Sequence, residues 1–190
     1  MSGYTWKLID WFKQNKGKSK TRLAINSNLG DDEKVTQLIE AFRDTDIELD
    51  LYTSVEAWGE RASYIRDGMD WNAWHSTFFR LISGVAGRDQ RGGVTWKHPV
   101  RKVHVMCTIN ALCVLEGLPE FLVHANTLKS VYGKDTMSFT LNILRFPSFQ
   151  SPLVLPPKLR QQAVKRLQQV KQVCSNFDEM EYNHIDRLID

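Results

Sequence analysis

The chain has little cysteine: three residues in 190, so any disulfide scheme leaves an odd thiol. That argues against a secreted, disulfide-stapled scaffold. It has no apolar run near the ~20 residues a membrane span needs. Its N-terminus, Met1-Ser2-Gly3-Tyr4-Thr5-Trp6, lacks a basic region followed by an apolar stretch, so no signal peptide is read and a cytoplasmic protein is expected. It has no strong charge bias: 25 basic against 22 acidic residues leave a net +3, too balanced for a dedicated nucleic-acid binder. His75, His98, His104, His124 and His184 show no metal-ligand spacing. No nucleophile elbow or glycine-rich phosphate loop occurs. What is present is ordinary globular material, 42% hydrophobic and 25% charged, enough for one domain with a short appendage.

Punctuation divides the chain into alternating segments. Residues 5–15 carry Trp6, Leu8, Ile9, Trp11 and Phe12 at helical spacing, with Trp6 and Trp11 expected in the core. The basic stretch 13–22 holds Lys13, Lys16, Lys18, Lys20 and Arg22 and reads as a solvated helix end rather than a phosphate patch. Strands are expected at 22–29, 47–54, 101–110 and 138–146. Asp31 and Asp32 stand where a helix cap belongs, before Val35, Leu38, Ile39 and Phe42. A long helical region is expected around Tyr64–Ile82, then a loop at 86–99 containing Gly92, Gly93, Trp96 and Lys97. Residues 111–132 are helical in tendency, with Pro119 near the start. Pro147, Pro152, Pro156 and Pro157 mark an irregular stretch, followed by a strong helix at 158–174 and a short one at 179–189. In the former, Leu159, Ala163, Leu167, Val170 and Cys174 share one face, which reads as packing rather than membrane-surface binding. Strand–helix alternation of this kind predicts an α/β fold with a parallel sheet and crossover helices.

Strand parity adds a functional hint. Ile47, Leu49 and Leu51 lie on one face of the second strand, Glu48, Asp50, Tyr52, Ser54 and Glu56 on the other. Leu23 and Ile25 oppose Ala24, Asn26 and Asn28; Val103, Val105 and Cys107 oppose His104, Met106, Thr108 and Asn110; Phe139, Leu141 and Ile143 oppose Thr140 and Asn142. A doubly covered parallel sheet is instead apolar on both faces. The polar stripe of Asn26, Asn28, Ser54, Glu56, Thr108, Asn110 and Asn142 gathers toward the strand C-termini, the end where parallel α/β folds bind ligands. It is either the lining of a wet or ligand-filled cavity or a partly solvated sheet face.

Four passages resemble one family. AINSNLG at 24–30, YTSVEAWGERASYIRDG at 52–68, VMCTIN at 105–110 and LNILRFPSFQSPLVLPP at 141–157 resemble the third to sixth strands, with their following loops, of the radical S-adenosylmethionine (SAM) superfamily, in its twitch- and SPASM-bearing branch. The second passage is the most specific. The resemblance implies a partial (β/α) barrel over residues 1–157, about four strands of a six-stranded barrel, and a C-terminal helical extension over 158–190. It implies SAM as cofactor, its amino and carboxylate groups held by Ser54 and by Arg66 twelve residues on. An arginine fork suits a carboxylate. Asn26, Asn28 and Asn110 join that cofactor-binding set, with Leu144 and Phe146 flanking the adenine. Glu56, where the family has Asp, together with Thr108 and Asn142, is assigned to substrate. No catalytic residue is assigned.

The same resemblance implies a [4Fe–4S] cluster on a Cys-x3-Cys-x2-Cys loop, and this chain has no such spacing. Cys107, Cys113 and Cys174 stand six and sixty-one residues apart and read as reduced, mostly buried thiols. The family's Gly-Gly-Glu-Pro-like motif is absent as well. The expectation is the C-terminal part of a radical SAM protein, inactive alone, whose partner is a complementary polypeptide carrying the cluster half. A non-catalytic binding or scaffold module with a polar cleft, and an unrelated α/β ligand-binding domain, are the rival readings.

Overall fold

A computed structural model describes residues 3–16, 21–87 and 98–190. Lys18, Lys20, Gly92, Gly93, Trp96 and Lys97 therefore lie outside the described residues. The element order is α1 (Gly3–Lys16), β1 (Arg22–Asn26), α2 (Asp32–Ala41), β2 (Glu48–Ser54), α3 (Glu60–Ile65), α4 (Trp71–Ala86), β3 (Val100–Ile109), α5 (Leu118–Tyr132), β4 (Met137–Ile143), α6 (Pro157–Val173) and α7 (Glu179–Ile189). Two 3-10 turns, Ser148–Gln150 and Pro152–Val154, precede α6. The four strands form one all-parallel sheet in the order β1-β2-β3-β4, so the chain is α/β. Among the described residues no helix is long and apolar enough to cross a membrane.

The chain divides into two compact units: residues 1–53 with 72–104, and 54–71 with 105–190. In the first, β1 pairs with β2 from Arg22↔Glu48 to Asn26↔Tyr52. Helix α2 starts as its sequence predicts: the Asp31 side chain accepts from the Lys34 amide, and Val35, Leu38 and Ile39 are buried. Trp74 and Phe78 on α4 stack at 4.6 Å, and the Trp74 indole donates to the buried Thr53 hydroxyl at 3.0 Å. Helix α1 departs from expectation. Its apolar residues fall on two stripes. Ile9 is buried with Trp6 and Phe12 half-buried beside it, whereas Tyr4, Leu8 and Trp11 point outward, Trp11 at 50% exposure. Trp11 is not a core residue, because positions four and seven after Tyr4 lie on a different face from positions three and six after Trp6.

In the second unit, α7 packs on β4 and α6, and α6 on α5. Ala163, Leu167, Val170 and Cys174 of the expected apolar face are buried. Pro119 stands in the first turn of α5. The tail is tied down by Glu181. Its carboxylate accepts from Lys129 Nζ at 2.5 Å, the Phe139 amide at 3.2 Å and the Asp178 amide at 2.9 Å. The helical region expected around Tyr64–Ile82 is two helices, α3 and α4. Arg66 leaves α3 in an extended conformation and Gly68 takes φ +74°, which ends the helical path.

The period-two expectation holds in β2, β3 and β4. Leu49, Leu51, Val103, Val105, Cys107, Phe139 and Leu141 are buried, while Asp50, Tyr52, Ser54, His104, Thr108 and Asn142 are half-buried or exposed. A parallel strand with one open face is unusual; of the polar stripe, Ser54, Thr108 and Asn142 lie on that face, while Glu56 and Asn110, just past the strands, are buried.

Candidate functional site

The second unit contains a recess of about 210 Å³ lined by Glu56, Ile65, Arg66, Thr108, Asn110 and Leu144. The polypeptide just past β2 builds one wall. The Val55 amide donates to the Met106 carbonyl at 3.3 Å and the Trp58 amide to the Gly117 carbonyl at 3.1 Å. These bonds hold Glu56 and its neighbours Val55 and Ala57 in buried positions. Gly117 permits the close approach: a Cβ there would come within 2.5 Å of the Ala57 Cβ, and its φ is +37°. The adjoining wall is the end of β3 and the turn after it. The Leu144 amide, just past β4, donates to the Ile109 carbonyl at 2.8 Å and brings Leu144 to the same place.

Arg66 caps the end of α3, where its amide bonds to the Ala62 carbonyl and its backbone is extended. The side chain turns back onto Glu56, donating from Nε to Oε2 at 3.2 Å and from Nη2 to Oε1. Glu56 is 5% exposed in this pair and Arg66 37%. The pairing is a two-bond fork, so both partners are fixed in orientation. Asn110 is buried. Its Oδ1 accepts from the Leu112 amide at 2.9 Å and the Cys113 amide at 3.2 Å. That fixes the amide flip and leaves Nδ2 as the group able to donate to a ligand. Thr108 adds an exposed hydroxyl at the strand end. The recess thus presents two donor groups, one hydroxyl and one internally paired carboxylate.

Of the residues singled out in the sequence, Glu56, Arg66, Thr108, Asn110 and Leu144 come together here. Ser54 is half-buried at the last residue of β2 and does not line the recess. Asn142 is exposed on β4 and does not line it either, and Phe146 is 85% exposed. Asn26 and Asn28 belong to the other unit, where the Asn28 Oδ1 accepts from the Gly30 amide at 3.3 Å. Ile65 completes the lining and had no sequence signal beyond preceding Arg66. The Glu56–Arg66 pair was also not foreseen; a carboxylate and a guanidinium ten residues apart around a Gly-initiated helix is the signal that was there to read.

The cysteines do not fit an iron–sulfur cluster. Cluster ligands are thiolates. Burial pushes the Cys107 thiol well up, with Glu56 and Cys113 adding to the effect, and pushes Cys113 up to about 12; Cys174 is raised by burial too. Cys113 also bonds within its own turn, accepting from the Asn110 amide at 3.3 Å. Among the described residues no three His, Cys, Asp or Glu side chains gather as a metal-binding group. A second cavity of about 220 Å³, under α6 and α7, is walled mainly by Ile109, Ile143, Leu155, Leu167 and Leu188, with Arg160, Arg187 and Asp190 as its charged groups. It offers apolar volume but no convergent set of polar groups comparable to the recess.

No family model, no curated protein and no solved structure matches the chain.

Proposed function

We propose that the chain is a radical SAM-type α/β module, its parallel strands forming part of a partial barrel, and that it binds the amino-acid end of S-adenosylmethionine without performing radical chemistry by itself. The observation that carries the reading is the convergence, in one recess at the C-terminal strand ends, of Arg66, Glu56, Asn110, Thr108 and Leu144. Arg66, Glu56, Asn110 and Leu144 are residues the family resemblance selects, and Thr108 is one that strand parity selects. The size fits a part of the ligand: about 210 Å³ is below the roughly 300 Å³ at which pockets for whole small molecules begin, and suits an amino-acid-sized group.

The end-on edge of Arg66, not engaged by Glu56, pairs with the ligand carboxylate. Asn110 Nδ2 donates beside it, and Leu144 gives an apolar contact. S-adenosylmethionine, when bound, supplies an activated sulfonium; the residues of this chain bind and orient its other end. Buried, protonated thiols do not supply cluster ligands, so in this reading the cluster belongs to a complementary polypeptide segment.

Calorimetric titration with S-adenosylmethionine tests the site. Binding by the wild type and at least about tenfold weaker binding by Arg66→Ala is expected, since one charge-assisted pair is worth about that factor. Equal affinities would remove the assigned residues. A stoichiometric [4Fe–4S] centre in reconstituted protein, seen by absorption and iron analysis, would overturn the statement on radical chemistry.

A further inference from the structure

We infer that Glu56 makes the recess selective for zwitterions, so that it takes α-amino carboxylates in preference to plain anions of the same size; this rests on the reading of the recess as a ligand site. Glu56 and Arg66 are the charged groups of its lining. Asp67, next in the chain to Arg66, and Arg145, next to Leu144, are exposed and do not line it. The recess is therefore neutral overall but strongly dipolar. Arg66 commits Nε and Nη2 to Glu56 and keeps its Nη1 end for a ligand. Each Glu56 oxygen accepts one Arg66 hydrogen bond, and a carboxylate has lone pairs for roughly four, so acceptor capacity remains for an ammonium.

A ligand carboxylate cannot take over the Nε edge cheaply. Doing so leaves Glu56 buried with no cation, the most costly state available to it. Glu56 therefore stays, and a plain anion meets its negative charge. An α-amino carboxylate meets Arg66 with one group and Glu56 with the other. Glu56 is a positioning residue for Arg66 and, for the ammonium, a direct contact.

The probes are L-methionine and 4-(methylsulfanyl)butanoate, the same molecule without its amino group. Both are titrated into the full chain by NMR, with the Arg66 Nε–Hε resonance as reporter. The wild type is expected to bind methionine about tenfold tighter than the desamino anion. Glu56→Gln is expected to bring the two within about threefold, weakening methionine and strengthening the anion, because Arg66 then stands uncompensated. Glu56→Asp, which keeps the charge, should restore the preference. A merely structural role moves both ligands together, so the ratio separates the roles even if Glu56→Gln is less stable. Equal binding of both probes by the wild type, no binding of either, or an unchanged ratio in Glu56→Gln overturns the inference. A parallel S-adenosylmethionine titration keeps the two proposals apart. Its binding without charge preference leaves the cofactor reading standing alone, and a methionine preference without it leaves the zwitterion site standing alone.

Discussion

Glu181 and Glu56 belong to the same compact unit, and each is held by one long basic side chain. Lys129 and Glu181 are 0% and 1% exposed, and the Glu181 carboxylate also takes two backbone amides. Glu56 is nearly as buried, but its partner Arg66 is about one-third exposed and faces a recess. Both pairs satisfy a buried carboxylate. Lys129–Glu181 is sealed inside the fold, the carboxylate accepting three hydrogen bonds that join α5, α7 and β4. Glu56–Arg66 leaves an open guanidinium end. Residual capacity at a half-exposed partner, rather than the presence of an ion pair, is what marks a candidate site.

Truncation separates the two pairs most sharply. Lys129→Ala strands a sealed carboxylate and should cost about 3–5 kcal/mol of unfolding free energy. Arg66→Ala strands Glu56 beside a solvated recess, where water replaces part of the lost pairing, and should cost about 1–2 kcal/mol. Urea midpoints of the two variants give the comparison, and similar losses would break it. The double variant Lys129→Met/Glu181→Gln should recover part of that loss, because no charge is buried, but not all of it: the Phe139 and Asp178 amides bond different Glu181 oxygens and a glutamine has one oxygen to accept.

Much of the frame was legible because it is encoded locally. Alternation placed Leu49, Leu51, Val103 and Val105 inside and Asp50, Thr108 and Asn142 outward. Asp31 and Pro119 announced the starts of α2 and α5. Five of the singled-out residues did meet in one recess. The misses are tertiary or conformational. Helical spacing at 6–12 could not say which of two apolar stripes would be covered, so Trp11 was misplaced. The break between α3 and α4 depends on the left-handed Gly68 and the extended Arg66, in a stretch whose composition stays helical. The turn of Arg66 onto Glu56 follows from that break: the ten-residue spacing of the two was open to reading, the return of the side chain was not. Lys129 and Glu181, 52 residues apart, carry no local signal at all.

The wall of the recess offers a second way to sharpen the contrast. Gly117→Ala places a methyl 2.5 Å from the Ala57 Cβ, 2.9 Å from the Arg61 Cδ, and on a backbone with φ +37°. Strain and overpacking together should cost about 2–4 kcal/mol. The Trp58 amide bond to the Gly117 carbonyl spans the same contact, so Glu56 should shift with it. Amide exchange at residues 55–58 should accelerate in this variant and stay slow in Lys129→Met/Glu181→Gln. Equal protection in both would mean that the recess wall is not an independent element.

His104, in the first unit, gives the smallest expected effect and a case between the two extremes. It stacks on Tyr52 at 4.5 Å, and desolvation pulls its pKa below the usual value, with Lys102 and Arg101 adding to the effect and Asp50 opposing it. The Asp50–Arg101 pair beside it is closed on one edge at 2.7 Å but leaves Asp50 Oδ1 and Arg101 Nε buried without partners. A base whose folded pKa is depressed binds its proton more readily in the unfolded chain. Its stabilising contribution is therefore complete above an unfolded pKa of about 6.5 and is lost as pH falls through the folded value. Against His104→Phe, which keeps a ring for Tyr52, the wild type should lose ground steadily in urea midpoint from pH 7.5 toward 5.5. Parallel curves would show that protonation of His104 costs nothing and that this polar face is already solvated, more like the exposed side of Arg66 than the sealed Lys129.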